Sequence, residues 1–148
     1  MNPSWQSYAL LSAQLAALVY LLLSGPIFVR IDKPYWLALE ISGAVLGGWS
    51  IAVLRLRNLH ALPDVAANAQ LVTKGPYRWV RHPIYFALLL TFGGVLGNHC
   101  TTTRMLAFIG LIVVLDLKCR YEERLLAQRF PAYRDYQQNT KRLIPFLY

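Results

Sequence analysis

Residues 74–97 read KGPYRWVRHPIYFALLLTFGGVLG. The stretch changes character at Pro83. Before it stand Lys74, Arg78 and Arg81, interleaved with Tyr77, Trp79 and His82; after it the chain is almost wholly apolar as far as Gly97. A basic, aromatic segment running into an uncharged one is the pattern of a chain entering a bilayer. Gly75-Pro76 is a breaker pair, and Pro76 removes a backbone donor. Pro83 suits the first position of a helix, where its missing N–H would be unpaired anyway. The stretch therefore reads as an extended segment from Leu71, a turn, and a membrane helix from about Ile84.

Composition agrees. The 148 residues are 56% hydrophobic and only 15% charged, which fits one domain of unusually apolar balance and not a soluble fold. The net charge of +8 raises the question of nucleic acid. The cations flank apolar runs instead of tiling one face, so no nucleic-acid partner is expected. Cys100 and Cys119 bracket the fourth apolar run. A helix between them separates them by roughly 28 Å, too far for a disulfide. No Cys/His spacing suggests a metal site.

Four apolar runs are legible: Tyr8 to Val29, Tyr35 to Leu54, Ile84 to Gly97 and Met105 to Leu117. The first two have about the 20 residues that cross a hydrocarbon core. The last two are shorter and are joined by the polar turn at residues 98–103. The expected fold is all-α: a polytopic membrane bundle of about four transmembrane helices, two long and then a short hairpin, with an amphipathic C-terminal helix. As a single domain, 1–148, it divides into helices 1 and 2 over 5–55, a loop over 56–83, the hairpin over 84–117 and the amphipathic tail over 118–148. The first run lacks a basic n-region and is too long for a signal peptide.

The cations set an orientation. Arg55, Arg57, Lys74, Arg78 and Arg81 lie between runs two and three, and seven more follow run four. Only Arg30, Lys33 and Arg104 of the 15 fall on the other side. The positive-inside rule then puts both termini, and both polar clusters, in the cytoplasm.

Within the runs, Gly43 with Gly47 and Gly93 with Gly97 read as small-residue pairs for close helix packing. Glu40 is a carboxylate in a span, functional or else hydrated near the non-cytoplasmic interface. Asp116 and Arg120 are placed for an i,i+4 ion pair.

Two clusters carry the chemistry. In the first, Arg81-His82-Pro83 is either a helix start with a basic interfacial anchor or the rim of a pocket lined by Tyr77, His82 and Tyr85. Tyr85 lies three residues past His82, on the same helical face. The second is Lys118-Cys119-Arg120-Tyr121-Glu122-Glu123-Arg124. Apolar residues recur there at helical spacing, so helix four should continue beyond the membrane to Pro131. Its charges read as a solvated face or as the other wall of the site. The aromatic tail, Tyr133 to Tyr148, reads as returning to the bilayer surface.

In this order and spacing, Leu71-Val72, Gly75-x-Tyr77, Arg81-His82-Pro83-x-Tyr85, Glu122-Glu123-x-x-Leu126, Phe130-x-x-Tyr133-x-x-Tyr136 and Arg142-x-Ile144-Pro145 resemble the isoprenylcysteine carboxyl methyltransferase family of integral-membrane methyltransferases. The resemblance covers about Gln70 to Pro145. It implies S-adenosyl-L-methionine bound at the cytoplasmic membrane face without a Rossmann fold, at Gln70, Leu71, Val72, Tyr77, His82, Pro83, Tyr85 and Glu122. It also implies a lipophilic or lipidated substrate near Lys118 and Arg81, with membrane lipid around it. Lys118, Pro131 and Ala87 depart from the family pattern, which often has Arg, Gly and Gly there. Lys lacks Arg's planar fork.

Methyl transfer from a sulfonium is an in-line displacement that asks for alignment and exclusion of water. A carboxylate or thiolate acceptor needs no strong base; an amine must be deprotonated. The sequence thus implies methyl transfer to a hydrophobic, membrane-associated carboxylate or thiol. Phospholipid amine N-methylation, a non-enzymatic membrane protein retaining the fold, and a sterol-reductase-like role are the other readings.

Overall fold

The computed structural model describes residues 4–26, 33–54 and 71–148. Gln70, Arg30, Arg55 and Arg57 lie outside the described residues. Five α-helices follow in order: α1 Trp5–Leu23, α2 Pro34–Leu54, α3 Pro83–Asn98, α4 Thr102–Arg129 and α5 Tyr133–Asn139, with a 3₁₀ turn at Gly75–Arg78. Among the described residues the only β pairing is a parallel bridge between Val80 and Lys141. The fold is the all-helical membrane bundle that the apolar runs imply. α1 and α2 are long and apolar enough to cross a membrane, and α3 is a shorter apolar helix.

Local chemistry sets the boundaries. Ser4 caps α1, its hydroxyl accepting from the Ser7 N–H at 3.2 Å. α1 ends at Leu23, not at Val29 as the apolar run suggested, because the chain breaks at Ser24-Gly25-Pro26. Thr101 caps α4 through the Arg104 N–H. α4 then runs unbroken for 28 residues, well past the apolar stretch, and stops at Phe130, the residue before Pro131.

Each helix of the α3–α4 hairpin packs chiefly on an earlier helix: α3 along α2, and α4 along α1. The α2–α3 contact is close. A Cβ on Gly43 would meet Thr91 Oγ1 at 2.4 Å, and one on Gly97 would meet the Trp36 ring at 2.4 Å. The third tight glycine is Gly94, whose Cβ would lie 2.6 Å from Glu40 Cγ. Gly93, named from sequence, has ordinary room at 3.6 Å, so the small-residue pairing is one position off. Glu40 itself turns towards α3. Its Oε1 is buried without a hydrogen-bond partner, while the residue as a whole is half-buried.

α1 and α4 run antiparallel. α1 buries Ser7, Gln14 and Leu21, a seven-residue repeat, against Leu111, Leu115 and Lys118 of α4. Leu21, Phe92, Leu111 and Leu115 form the apolar core. The seam is polar at its other end: Ser4 Oγ lies 2.9 Å from Tyr121 Oη, and Lys118 Nζ donates to Gln14 Oε1 at 2.6 Å.

Candidate functional site

The segment before α3 is positioned by a turn that needs glycine. Gly75 has φ +59°, the left-handed region, and a Cβ there would sit 2.9 Å from Val53 Cγ2. The turn thereby docks on the end of α2, where Trp79 meets Trp49 edge to face at 5.7 Å. Tyr77 is buried, and its backbone carbonyl accepts from the Tyr136 hydroxyl. Burial, then the neighbouring Tyr136, pushes the Tyr77 hydroxyl above its ordinary range.

The chain then pairs with the tail. The Arg81 N–H donates to Lys141 O at 2.9 Å and the His82 N–H to Arg142 O at 3.1 Å. His82 precedes Pro83 at the start of α3, as expected from sequence, and is 7% exposed. Its ring stacks on Tyr85 at 5.6 Å, the planes 3° from parallel.

α4 supplies the opposite wall. His82 lies between two adjacent carboxylates: Nδ1 is 3.4 Å from Glu122 Oε2, and Nε2 is 3.3 Å from Glu123 Oε1. The Tyr85 hydroxyl donates to Glu122 Oε1. Burial disfavours the imidazolium, but Cys119 and the two glutamates outweigh it and hold His82 well above the usual histidine range. Glu122 and His82 therefore meet across 40 residues of sequence, with Tyr85 touching both.

Glu123 was not singled out from sequence, yet it is the hub. It is 4% exposed. Arg81 Nε donates to its Oε1 at 2.7 Å, and Arg142 Nε and Gln137 Nε2 donate to its Oε2 at 3.2 and 3.3 Å. Burial would raise this carboxyl, but the His82 and Arg81 hydrogen bonds and charges win and hold it at about 2. The Glu122-Glu123 doublet was visible; which of the two faced inward was not.

The remaining sequence-named residues are placed as follows. Leu71 and Val72 lie in the irregular lead-in to the turn. Arg81 also donates to the carbonyls of Gln137 and Thr140, so its guanidinium is spent on holding α5 and the tail. Lys118 is 1% exposed, and its ammonium lies 5.1 Å over the Tyr85 ring while bonding Gln14. Gln14 was missed, although a lone amide in an apolar span is a signal of its own. Asp116 pairs with Arg120 at 2.7 Å, as the spacing implied, and the tail adds Tyr148, whose hydroxyl donates to Asp116 Oδ1 at 2.9 Å. Cys100 and Cys119 are both free.

The model of one family, described as phospholipid methyltransferase, matches residues 35–133. The match reaches back through α2, ahead of the resemblance read over Gln70 to Pro145, and ends at Tyr133. The cobalt-zinc-cadmium resistance protein CzcN of Cupriavidus metallidurans is 36% identical over 84 residues, 54% of this chain and 38% of that protein. The nickel-cobalt-cadmium resistance protein NccN of Alcaligenes xylosoxydans xylosoxydans is 30% identical over 84 residues, again 54% of this chain and 38% of that protein. Methanethiol S-methyltransferase of Mycobacterium tuberculosis is 35% identical over 71 residues, 47% of this chain and 28% of that protein. The matched part of the chain thus spans well under half the length of each of these relatives.

Proposed function

The chain belongs to the phospholipid methyltransferase family, and on that premise we propose that it transfers a methyl group from S-adenosyl-L-methionine to a hydrophobic, membrane-associated acceptor, a thiol or a carboxylate. The observation that carries this reading is the meeting of His82, Tyr85 and Glu122, from separate helices, in one aromatic and acidic cluster. The cofactor is a cation with a planar base, and the residues fit it. The Glu122 side chain is 19% exposed, so its carboxylate is open to a ligand, while His82 is buried between Glu122 and Glu123. Leu71, Val72, Tyr77, His82, Pro83, Tyr85 and Glu122 would hold it. When bound, it supplies a methyl on a sulfonium, open to in-line displacement.

The protein's own groups do the rest. Tyr85 fixes the Glu122 carboxylate, which is suited to ribose hydroxyls or to a positive charge. His82, whose proton affinity is raised by its place between the two glutamates and beside Cys119, lies against the like charges of Glu122 and Glu123. The apolar core between α1, α3 and α4 keeps water from the membrane side. The polar end of the bundle, with both termini, is assigned to the cytoplasm by the cation asymmetry. Isoprenylcysteine-type carboxyl methylation is the carboxylate form of this reading. The relative named methanethiol S-methyltransferase supports a thiol. The family's description supports a second reading, N-methylation of a phospholipid amine.

Radiolabelled S-adenosyl-L-methionine, incubated with the purified protein and either a total membrane lipid extract or small thiols, tests these. Label in a lipid ester or thioether supports the proposal, and label in a headgroup amine supports the second reading. No transfer to any acceptor, with no cofactor binding, removes the enzyme reading.

A further inference from the structure

The face of α4 opposite Lys118 and Glu122 carries an open cavity. It measures about 430 Å³ and is lined by Arg120, Glu123, Arg124 and Ala127 of α4, with Gln137 of α5 and Arg142 of the tail. On a helix, residues 120, 124 and 127 share one face, and 118 and 122 share the other. The cavity therefore does not open on Tyr85 or Glu122; only Glu123 touches both sides.

Its charges do not cancel. Arg120 is paired with Asp116 at 2.7 Å, and Arg142 with Glu123 at 3.2 Å. Arg124 is exposed and, among the described residues, has no carboxylate within ion-pair distance; its Nε donates to the Arg120 carbonyl at 3.3 Å. The lining is left with one uncompensated guanidinium flanked by two others. Guanidinium forks match the oxygens of a phosphate.

The same helical face continues towards the apolar half of α4 as Leu106, Ile109, Val113 and Leu117. All four are exposed, by 63%, 49%, 52% and 47%. From Leu106 to Leu117 the stripe is about 17 Å long, enough for much of an acyl chain. An apolar stripe on a membrane helix is ordinary; one that runs straight into a basic cavity at its polar end is the arrangement by which pockets on membrane proteins hold acidic headgroups.

We propose that this face of α4 binds an anionic phospholipid, its singly charged phosphodiester in the cavity at Arg124 and a chain along Leu106 to Leu117. The lipid is a bound partner, separate from the methyl acceptor.

Native mass spectrometry of the purified protein, released from detergent with phosphatidylglycerol, reads this directly. Wild type should retain phosphatidylglycerol at least 10-fold more than phosphatidylcholine of the same chains. Arg124→Gln should lose that preference, while Arg134→Gln, an exposed cation of α5 outside the cavity lining, should keep it within 2-fold. Ala127→Glu, which puts a carboxylate on the cavity wall and leaves every arginine, should also abolish it, so a folding defect in Arg124→Gln does not blunt the test. Equal retention of the two lipids overturns the proposal, as does equal loss in Arg124→Gln and Arg134→Gln. Binding of chain-free glycerophosphoglycerol as tight as that of the lipid overturns it too, leaving a simple anion site.

Discussion

Arg81 Nε and Glu123 Oε1 lie 2.7 Å apart, and both side chains are all but sealed from solvent, at 9% and 5% exposure. This pair ties the residue ahead of the His82-Pro83 corner to the C-terminal part of α4. Arg81 also reaches the carbonyls of Gln137 and Thr140, so one guanidinium joins α3, α4, α5 and the tail. A buried carboxylate with four cationic or amide neighbours leaves much uncompensated when it is removed.

Glu123→Gln is therefore expected to destabilise the protein by about 3 kcal/mol, read as a fall in melting temperature in detergent. Glu122→Gln, at the more open carboxylate, should cost clearly less. A Glu123→Gln protein that melts with wild type would show that the hub is only apparent.

The same carboxyl gives a pH dependence. Its value in the folded protein is about 2, against an ordinary 4.5. A depressed carboxyl contributes stability that is present above the unfolded value and lost as pH falls through the folded one. The loss should thus run between about 4.5 and about 2. His82 works the other way: its value is raised, so its contribution is complete below the ordinary 6.5 and declines as pH rises through the folded value. Melting temperature against pH should show the acid-side loss in wild type and not in Glu123→Gln. A parallel decline in both proteins would place the acid sensitivity elsewhere.

On α1, Gln14→Leu removes the acceptor 2.6 Å from the buried Lys118 ammonium. A donor left without this bond should cost about 1–3 kcal/mol, while Gln14→Glu keeps an acceptor and should cost less. Unfolding by denaturing detergent measures both. If the leucine variant proves as stable as wild type, the α1–α4 contact does not depend on this pair.

The glycines show how far sequence reaches. Counting apolar runs located α2, α3 and the hairpin turn, because bilayer thickness and breaker residues act locally. It chose Gly93 over Gly94, because two adjacent glycines differ only by about 100° of helical rotation, and only the packed partner decides between them. The same limit applied to Glu122 and Glu123. His82, Tyr85 and Glu122 were legible as chemistry, but Glu123 owes its role to Arg81, Gln137 and Arg142, which converge from three segments. The tail was read as returning to the bilayer surface. Its residues 141 and 142 pair with Arg81 and His82, a contact across 60 residues that no local pattern announces. Phe146 and Leu147 beyond it remain 85% and 78% exposed.

A paired substitution tests the glycine assignment. Gly94→Ala and Gly97→Ala each press a methyl to within 2.6 Å of a neighbour, whereas Gly93→Ala has 3.6 Å. The first two should each destabilise by about 1–3 kcal/mol, and the third should stay within about 0.5 kcal/mol of wild type. Equal effects at Gly93 and Gly94 would mean that α3 meets α2 through a different face.

The functional reading rests on His82 and Glu122 acting on one ligand. His82→Ala and Glu122→Ala should each weaken S-adenosyl-L-methionine binding about 10- to 150-fold, the range given by losing one contact to a charged group worth about 1.5–3 kcal/mol. Glu40→Ala, packed between α2 and α3 beside Gly94 and not among these residues, should change affinity by less than about 3-fold, although it removes a half-buried carboxylate and is expected to alter stability. Calorimetry on variants first checked for wild-type circular dichroism measures this. His82 needs that check most, since it sets the start of α3 and its backbone N–H binds Arg142 O. Well-folded His82→Ala and Glu122→Ala proteins that bind the cofactor as tightly as wild type would reduce this cluster to the bundle's own scaffolding. The methyl-donor site would then have to be sought away from the α3–α4 junction.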